Sequence, residues 1–234
     1  MDRSSAPLEV LFEDNHLLVV NKPAMLPTMG VEPSRPSLLE VAREYVRQKY
    51  HKPGKVYLGI VSRLDAPVSG VVLLARTSKA ASRLSEAFRQ RRPKKIYWAT
   101  VSGHLERPEA TLEHYLRKDE RHRRVHVTHA DAPDARLARL HYSVRAEHFD
   151  FSLLQVELET GRKHQIRVQL AKLGHPILGD RKYGSSEAFP VGIALHSRQL
   201  ELEHPVGGGR LSLEAPLPAS WSKHPATNSL VKLV

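Results

Sequence analysis

The chain has 234 residues, with 36 Lys or Arg against 25 Asp or Glu for a formal net charge of +11, 41% apolar residues and no cysteine. That length and apolar content support a sizeable core and exclude a disordered polyelectrolyte, while the charge points to an anionic partner. No stretch reaches the roughly 18 uninterrupted apolar residues of a membrane helix, the first residues carry no signal-peptide core, and disulfides, zinc ribbons and thiol catalysis are excluded, so we expect a cytoplasmic protein that binds RNA or DNA.

In chain order, residues 1–7 read as an N-terminal tail, 8–218 as one domain without repeats, and 219–234 as a C-terminal tail. Two apolar runs in residues 8–21 flank Glu13-Asp14-Asn15-His16, the pattern of a hairpin. After a Pro/Gly-rich loop, Ser37-Leu38-Leu39-Glu40 is a capping box opening a helix that ends near Tyr50, with Leu38, Ala42, Tyr45 and Val46 on one stripe. The run Gly70-Val71-Val72-Leu73-Leu74-Ala75 reads as a buried strand, so Asp65 lies just before a core element. A second helix starts at Ser78 and ends in the basic run Arg89-Gln90-Arg91-Arg92. Strands follow over residues 95–101, 137–144 and 151–158, and the Arg- and His-rich stretch 117–129 between them reads as an exposed basic hairpin or loop suited to RNA. Residues 161–173 read as a turn into a short helix, with Ile166, Leu170 and Leu173 on one face, Gly174 as its cap and arginines at an anion-holding start. Apolar segments on either side of Gly207-Gly208-Gly209 complete a final hairpin.

For an arbitrary Arg-x-Asp the ordinary reading is a structural ion pair at a strand edge. Here the full string Arg63-Leu64-Asp65-Ala66-Pro67-Val68-Ser69-Gly70-Val71-Val72-Leu73-Leu74-Ala75-Arg76-Thr77 resembles the central motif of the RluA-type pseudouridine synthases, written H-R-L-D-x-x-T-S-G-L-L-L-x-A-K-T. Three further segments match that family in order. Residues 11–23, with Glu13-Asp14 and Leu17-Leu18-Val19-Val20-Asn21-Lys22-Pro23, are similar to its opening signature. Lys95-Ile96-Tyr97-Trp98-Ala99-Thr100-Val101-Ser102-Gly103 is similar to its tyrosine strand. Thr160-Gly161-Arg162-Lys163-His164-Gln165-Ile166-Arg167-Val168-Gln169-Leu170, followed by Gly174-His175-Pro176-Ile177-Leu178-Gly179-Asp180 and Tyr183-Gly184, is similar to its third motif, and His204-Pro205 echoes a closing strand. Ser62 stands where the family carries His, and Val68 where Thr is common.

The resemblance implies an α+β fold with a curved, mainly antiparallel mixed central sheet, flanking helices and an RNA-binding cleft across it, making residues 8–218 the catalytic domain. The chain opens almost directly on the first signature, so no S4 RNA-binding domain is expected ahead of it. The implied activity converts specific uridines of structured RNA, rRNA or tRNA, to pseudouridine, by a monomer without cofactor or metal. Asp65 maps onto the catalytic aspartate, as nucleophile or base, and a cation such as Arg167 beside it would favour the charged carboxylate. Tyr97 would stack on the uracil and assist proton removal at C5, although a strand aromatic packed in the core has the same sequence signal. Ile166 would pack the base and Arg63 fill the space it leaves, while Lys95 and Arg162 would hold phosphates or serve as ordinary solvated charges. His122, His126 and His129 have ligand-like spacing but sit in an Arg-rich stretch without matching carboxylates, and read as a solvated basic face. The competing reading is a catalytically silent RNA-binding or ribosome-assembly factor on the same fold.

Overall fold

A computed structural model describes residues 8–30 and 36–234, so the expected tail at residues 1–7 lies outside the described residues. In chain order the strands and helices are β1 (Val10–Glu13), β2 (Leu17–Lys22), α1 (Leu38–Lys49), β3 (Gly59–Ile60), β4 (Ser69–Ala75), α2 (Ser78–Arg89) and β5 (Lys94–Ser102). They continue with β6 (Glu109–Asp119), β7 (Arg124–Thr128), β8 (Arg136–His148), β9 (Phe151–Leu158) and α3 (Gln165–Lys172). A 3₁₀ turn (Arg181–Tyr183), β10 (Leu195–Glu203), β11 (Arg210–Glu214), α4 (Ala219–Lys223) and α5 (Pro225–Lys232) complete the α+β fold. Two compact units divide the chain, one formed by the residues up to Pro93 with Arg198–Pro216, the other by Lys94–Ser197 with Leu217–Val234.

In the first unit, β2 pairs antiparallel with both β1 and β4, Leu17 opposite Ala75 and Lys22 opposite Gly70. Successive side chains on β2 and β4 alternate between two cores, which explains why β4 is buried at every position. Leu17, Val19, Val71 and Leu73 pack with Ala80 and Leu84 of α2, whereas Leu18, Val20, Val72 and Leu74 pack with Leu38, Ala42 and Val46 of α1. Ser37 caps α1 in the expected box, its backbone N–H donating to Glu40 Oε2 at 2.8 Å, a device worth about 1 kcal/mol. Thr77 caps α2, accepting from Ala80 N–H at 3.2 Å.

Two of the sequence signatures meet in this unit for structural reasons. Arg76 reaches Glu13 at 3.0 Å, and Glu13 also accepts from Tyr45, Lys49 and Tyr50 at 2.8, 2.6 and 2.7 Å. Burial would raise the Glu13 carboxyl, but its bonds to Lys49, Tyr50 and Tyr45 outweigh that and hold it below its ordinary value of 4.5. Asp14 closes the β1–β2 turn by accepting from the His16 and Leu17 N–H groups, both at 2.7 Å, and from His204 Nε2 at 2.8 Å. His204 Nδ1 accepts in turn from Gly207 N–H at 2.8 Å, fixing the β10–β11 turn to the first hairpin.

The second unit runs β5-β9-β8-β6-β7, with every one of these pairings antiparallel. Stretch 117–129 is a hairpin made by the end of β6 and all of β7. Leu116, just before it, and Val125 within it turn inward onto Ala138, Val168 and Tyr183. Residues 219–234, expected as a tail, form α4 and α5 and bury Trp221, Ala226, Thr227 and Leu230. Pro225 starts α5 at a position where a missing N–H costs nothing, and Trp221 meets Phe189 and His196 edge-on with centroids 6.3 and 6.4 Å apart.

Candidate active site

Arg63 and Asp65 lie in the first unit, on the segment between β3 and β4 that has no regular structure. Irregular backbone needs other partners for its polar groups, and residues 22–28 supply them. Thr28 Oγ1 donates to Leu64 O at 2.9 Å and accepts from Leu64 N–H at 3.2 Å, while Met25 N–H donates to Ala66 O at 2.6 Å. Val68 N–H closes a turn onto Asp65 O at 3.0 Å. Asp65 is half-buried and Arg63 exposed, an arrangement that offers one carboxylate on a fixed backbone and one solvent-exposed cation two residues before it.

Lys22 is the residue that sequence reasoning missed here. Although it ends a strand, where a lysine ordinarily reaches solvent, its side chain is fully buried. The ammonium donates to Pro23 O at 2.8 Å, Leu26 O at 2.7 Å and Ala66 O at 3.3 Å, tying the end of β2 to the residue after Asp65. Burial pushes Lys22 down from 10.5 to about 7, with the Asp65 charge pulling the other way. Lys22-Pro23 in the opening signature was the only sequence signal for this role. Ser62, the departure from the family pattern, accepts from the Leu73 N–H of β4 at 3.1 Å, which anchors the near end of the same segment.

Lys95, Tyr97, Arg162, Ile166 and Arg167 lie in the second unit. Tyr97 on β5 pairs opposite Val156 and is half-buried, as is Lys95. Arg162 donates from Nε to Leu137 O at 2.9 Å, so its stem is held to the sheet. Ile166 is buried.

Helix α3 departs from the sequence reading in two ways. Its residues from Gln165 through Leu170 are all buried, whereas Leu173, expected on the apolar face, is exposed, because the helix is enclosed on several sides rather than lying on one. The second is that side chains at its start are already engaged within the protein. Gln165 Oε1 accepts from Thr160 Oγ1 at 2.8 Å and Arg162 N–H at 3.0 Å, and the Arg167 guanidinium is taken by Asp180, Nε to Oδ2 at 2.7 Å and Nη2 to Oδ1 at 2.9 Å. The side chains are 6% and 2% exposed, so this is a buried bidentate pair that fixes the Arg167 plane. Asp180 stood in the third motif without an assigned role. The helix ends as expected, Gly174 at φ +94° with His175 N–H on Leu170 O and Gly174 N–H on Ala171 O.

The basic hairpin does contain a carboxylate. Asp119 accepts from the His122 N–H at 3.0 Å and meets His122 Nδ1 at 2.7 Å and His126 Nε2 at 3.7 Å. Among the described residues no three His, Asp or Glu side chains form a metal-binding group, and no helix is long and apolar enough to cross a membrane.

The family model for RNA pseudouridylate synthase matches residues 16–172, which include every candidate residue from Arg63 to Arg167. The chain is 36% identical over 217 residues to YhcT of Bacillus subtilis, an uncharacterized RNA pseudouridine synthase, covering 91% of this chain and 69% of that one. It is 37% identical over 226 residues to ribosomal large subunit pseudouridine synthase D of Nitrosomonas europaea, covering 91% of this chain and 62% of that one. Among solved structures, the human RNA pseudouridylate synthase domain containing 4 matches with a TM-score of 0.75 at 26% identity, over 90% of this chain and 88% of that one. With the sequence signatures, the α+β architecture and these relatives in agreement, the chain belongs to the RNA pseudouridine synthases of the RluA type, enzymes that isomerise uridine within RNA.

Proposed function

We propose that Asp65 carries the isomerisation, acting on a uridine of structured RNA, with ribosomal RNA as the leading target class and the cytoplasm as the place of action. The supporting observation is the fixed backbone around it: Leu64 and Ala66, its two neighbours, are bonded to Thr28, Met25 and Lys22. The reaction breaks the bond between N1 of uracil and C1′ of ribose, turns the base and joins C5 to C1′, and as the proton on C5 leaves N1 takes one up. It is redox-neutral, and one carboxylate acting as nucleophile at the sugar or as base at C2′ opens it. Tyr97 is assigned to stacking on the base and to the C5 proton, Ile166 to base packing, and Arg167 to the positive charge that carboxylate chemistry calls for. Arg63 is assigned to the space the flipped uridine vacates, a step costing roughly a few kcal/mol, and Lys95 and Arg162 to flanking phosphates. The ribosomal target is supported by the name of the Nitrosomonas relative, and transfer RNA is the second class to examine. Asp65→Asn, assayed by tritium release from C5-labelled uridine in RNA and separately for RNA affinity, is expected to lose activity and keep binding. Full activity in that variant overturns the assignment.

A further inference from the structure

Tyr183, the last residue of the 3₁₀ turn, is buried in the second unit and touches more functional elements than packing requires. Its hydroxyl accepts from the Val125 N–H of β7 at 3.0 Å and lies 2.8 Å from His164 Nδ1. A phenol has one proton to give and lone pairs to accept with, so this one hydroxyl serves both the Val125 N–H and the His164 ring nitrogen. Burial raises the Tyr183 hydroxyl above its ordinary value of 10.0, so it stays a donor across the neutral range.

The two groups it holds belong to different machinery. Val125 sits on the hairpin that exposes Arg117, Lys118, Arg121 and Arg123. His164 precedes α3 in the left-handed conformation, φ 55°, unusual for a residue with a Cβ, and its carbonyl receives the Val168 N–H at 3.0 Å in the first helical turn. The Tyr183 ring also lies 5.1 Å from the guanidinium carbon of Arg167 and 5.1 Å from that of Arg124. The backbone carbonyl of Asp180, whose carboxylate grips Arg167, accepts the Tyr183 backbone N–H at 2.9 Å, so the two residues belong to one turn.

We propose that Tyr183 is a positioning residue that pins the basic hairpin and the Arg167-bearing start of α3 to one point, so that the grip on RNA and the placement of Arg167 depend on the same side chain. This rests on the role assigned to Arg167 and on RNA as the ligand of the hairpin. The hydroxyl and the ring divide the work: the hydroxyl ties the hairpin and His164, and the ring backs the Arg167 plane.

Two variants of the full chain separate these duties. Tyr183→Phe keeps the ring and leaves the buried Val125 N–H without its acceptor. It is expected to raise KM five- to tenfold with kcat within twofold, on total RNA from cells lacking this gene, which holds every native target unmodified. Tyr183→Leu removes the ring as well and is expected to lower kcat at least tenfold further. A readout independent of RNA is amide hydrogen exchange in the free protein, expected to rise at least tenfold at Val125 and over residues 164–168 in Tyr183→Phe while β2 and β4 stay unchanged. Unchanged exchange at both places, or a common loss of kcat in both variants that follows only their fraction folded, overturns the proposal. Should wild-type protein be inactive on that RNA, the functional reading fails, and the exchange measurement still decides for or against Tyr183 as the pin.

Discussion

Replacing Lys22 by Met sets two terms of similar size against each other and separates stability from activity. The fall of Lys22 from 10.5 to about 7 corresponds, at about 1.4 kcal/mol per pH unit, to about 5 kcal/mol carried by the native state wherever both states hold the proton. Methionine removes that cost. It also strips the ammonium from Pro23 O and Leu26 O at about 1–3 kcal/mol each, while Ala66 O keeps the Met25 N–H. Near pH 6 the variant is therefore expected within a few kcal/mol of wild type. Lys22 is a base whose native value is depressed, so its cost is complete below about pH 7 and fades as pH rises toward 10.5, where the unfolded chain holds a proton the native state has released. Wild type should gain about 2 kcal/mol on the variant between pH 7 and 9 in urea unfolding followed across that range. Activity should fall far more than stability, by about 100-fold in kcat, because a displacement near 1 Å in the segment carrying Asp65 is enough for such a loss. A wild-type kcat in Lys22→Met would show that the tether does not position Asp65, and a stability difference that is flat from pH 6 to 9 would show that Lys22 does not titrate there.

Other perturbations follow from the same contacts. Asp180→Asn breaks a bidentate pair whose side chains are 6% and 2% exposed, and should destabilise the protein by about 3–5 kcal/mol in thermal or urea unfolding, with activity lost beyond the fraction unfolded; a loss below about 1 kcal/mol would contradict a buried charged pair. Acid should weaken the first unit. Burial opposes but does not cancel the Lys49 and tyrosine bonds on Glu13, or the His16 and Leu17 N–H bonds on Asp14, so both carboxyls sit below their ordinary 4.5 and 3.8. Their contribution is present above those values and is lost as pH falls through the lower native ones, which predicts a steeper fall in Tm below pH 4.5 for wild type than for Glu13→Gln. Ser62→Ala leaves the N–H of fully buried Leu73 without its acceptor and should cost about 1–3 kcal/mol, read as a shift in urea midpoint at constant slope.

What could be read in the sequence was what is local or periodic. The Ser37 box, the β1–β2 hairpin and the uninterrupted apolar run of β4 each state their conformation within a few residues, and the structure forms all three. The elements that were not legible are those whose partners are chosen by tertiary packing. Lys22 looks like a solvated strand end until residues 23–26 and 66 are folded around its ammonium. Trp221 lies in a polar-looking terminal segment, and only the approach of Phe189 and His196 makes α4 and α5 worth ordering against their conformational entropy. The proposed site divides the same way: Asp65 and Arg167 could be proposed because their motifs are contiguous, whereas the groups that hold them in place, Lys22 and Asp180, were not assigned. Ser62 sharpens the point. Judged by its motif alone it is a deviation from the family's His, but its hydroxyl serves the backbone of β4. A residue that differs from its family at a catalytic motif can therefore be doing structural work there, and the chemistry of the motif is better judged by whether the segment carrying Asp65 stays fixed than by the identity of each letter.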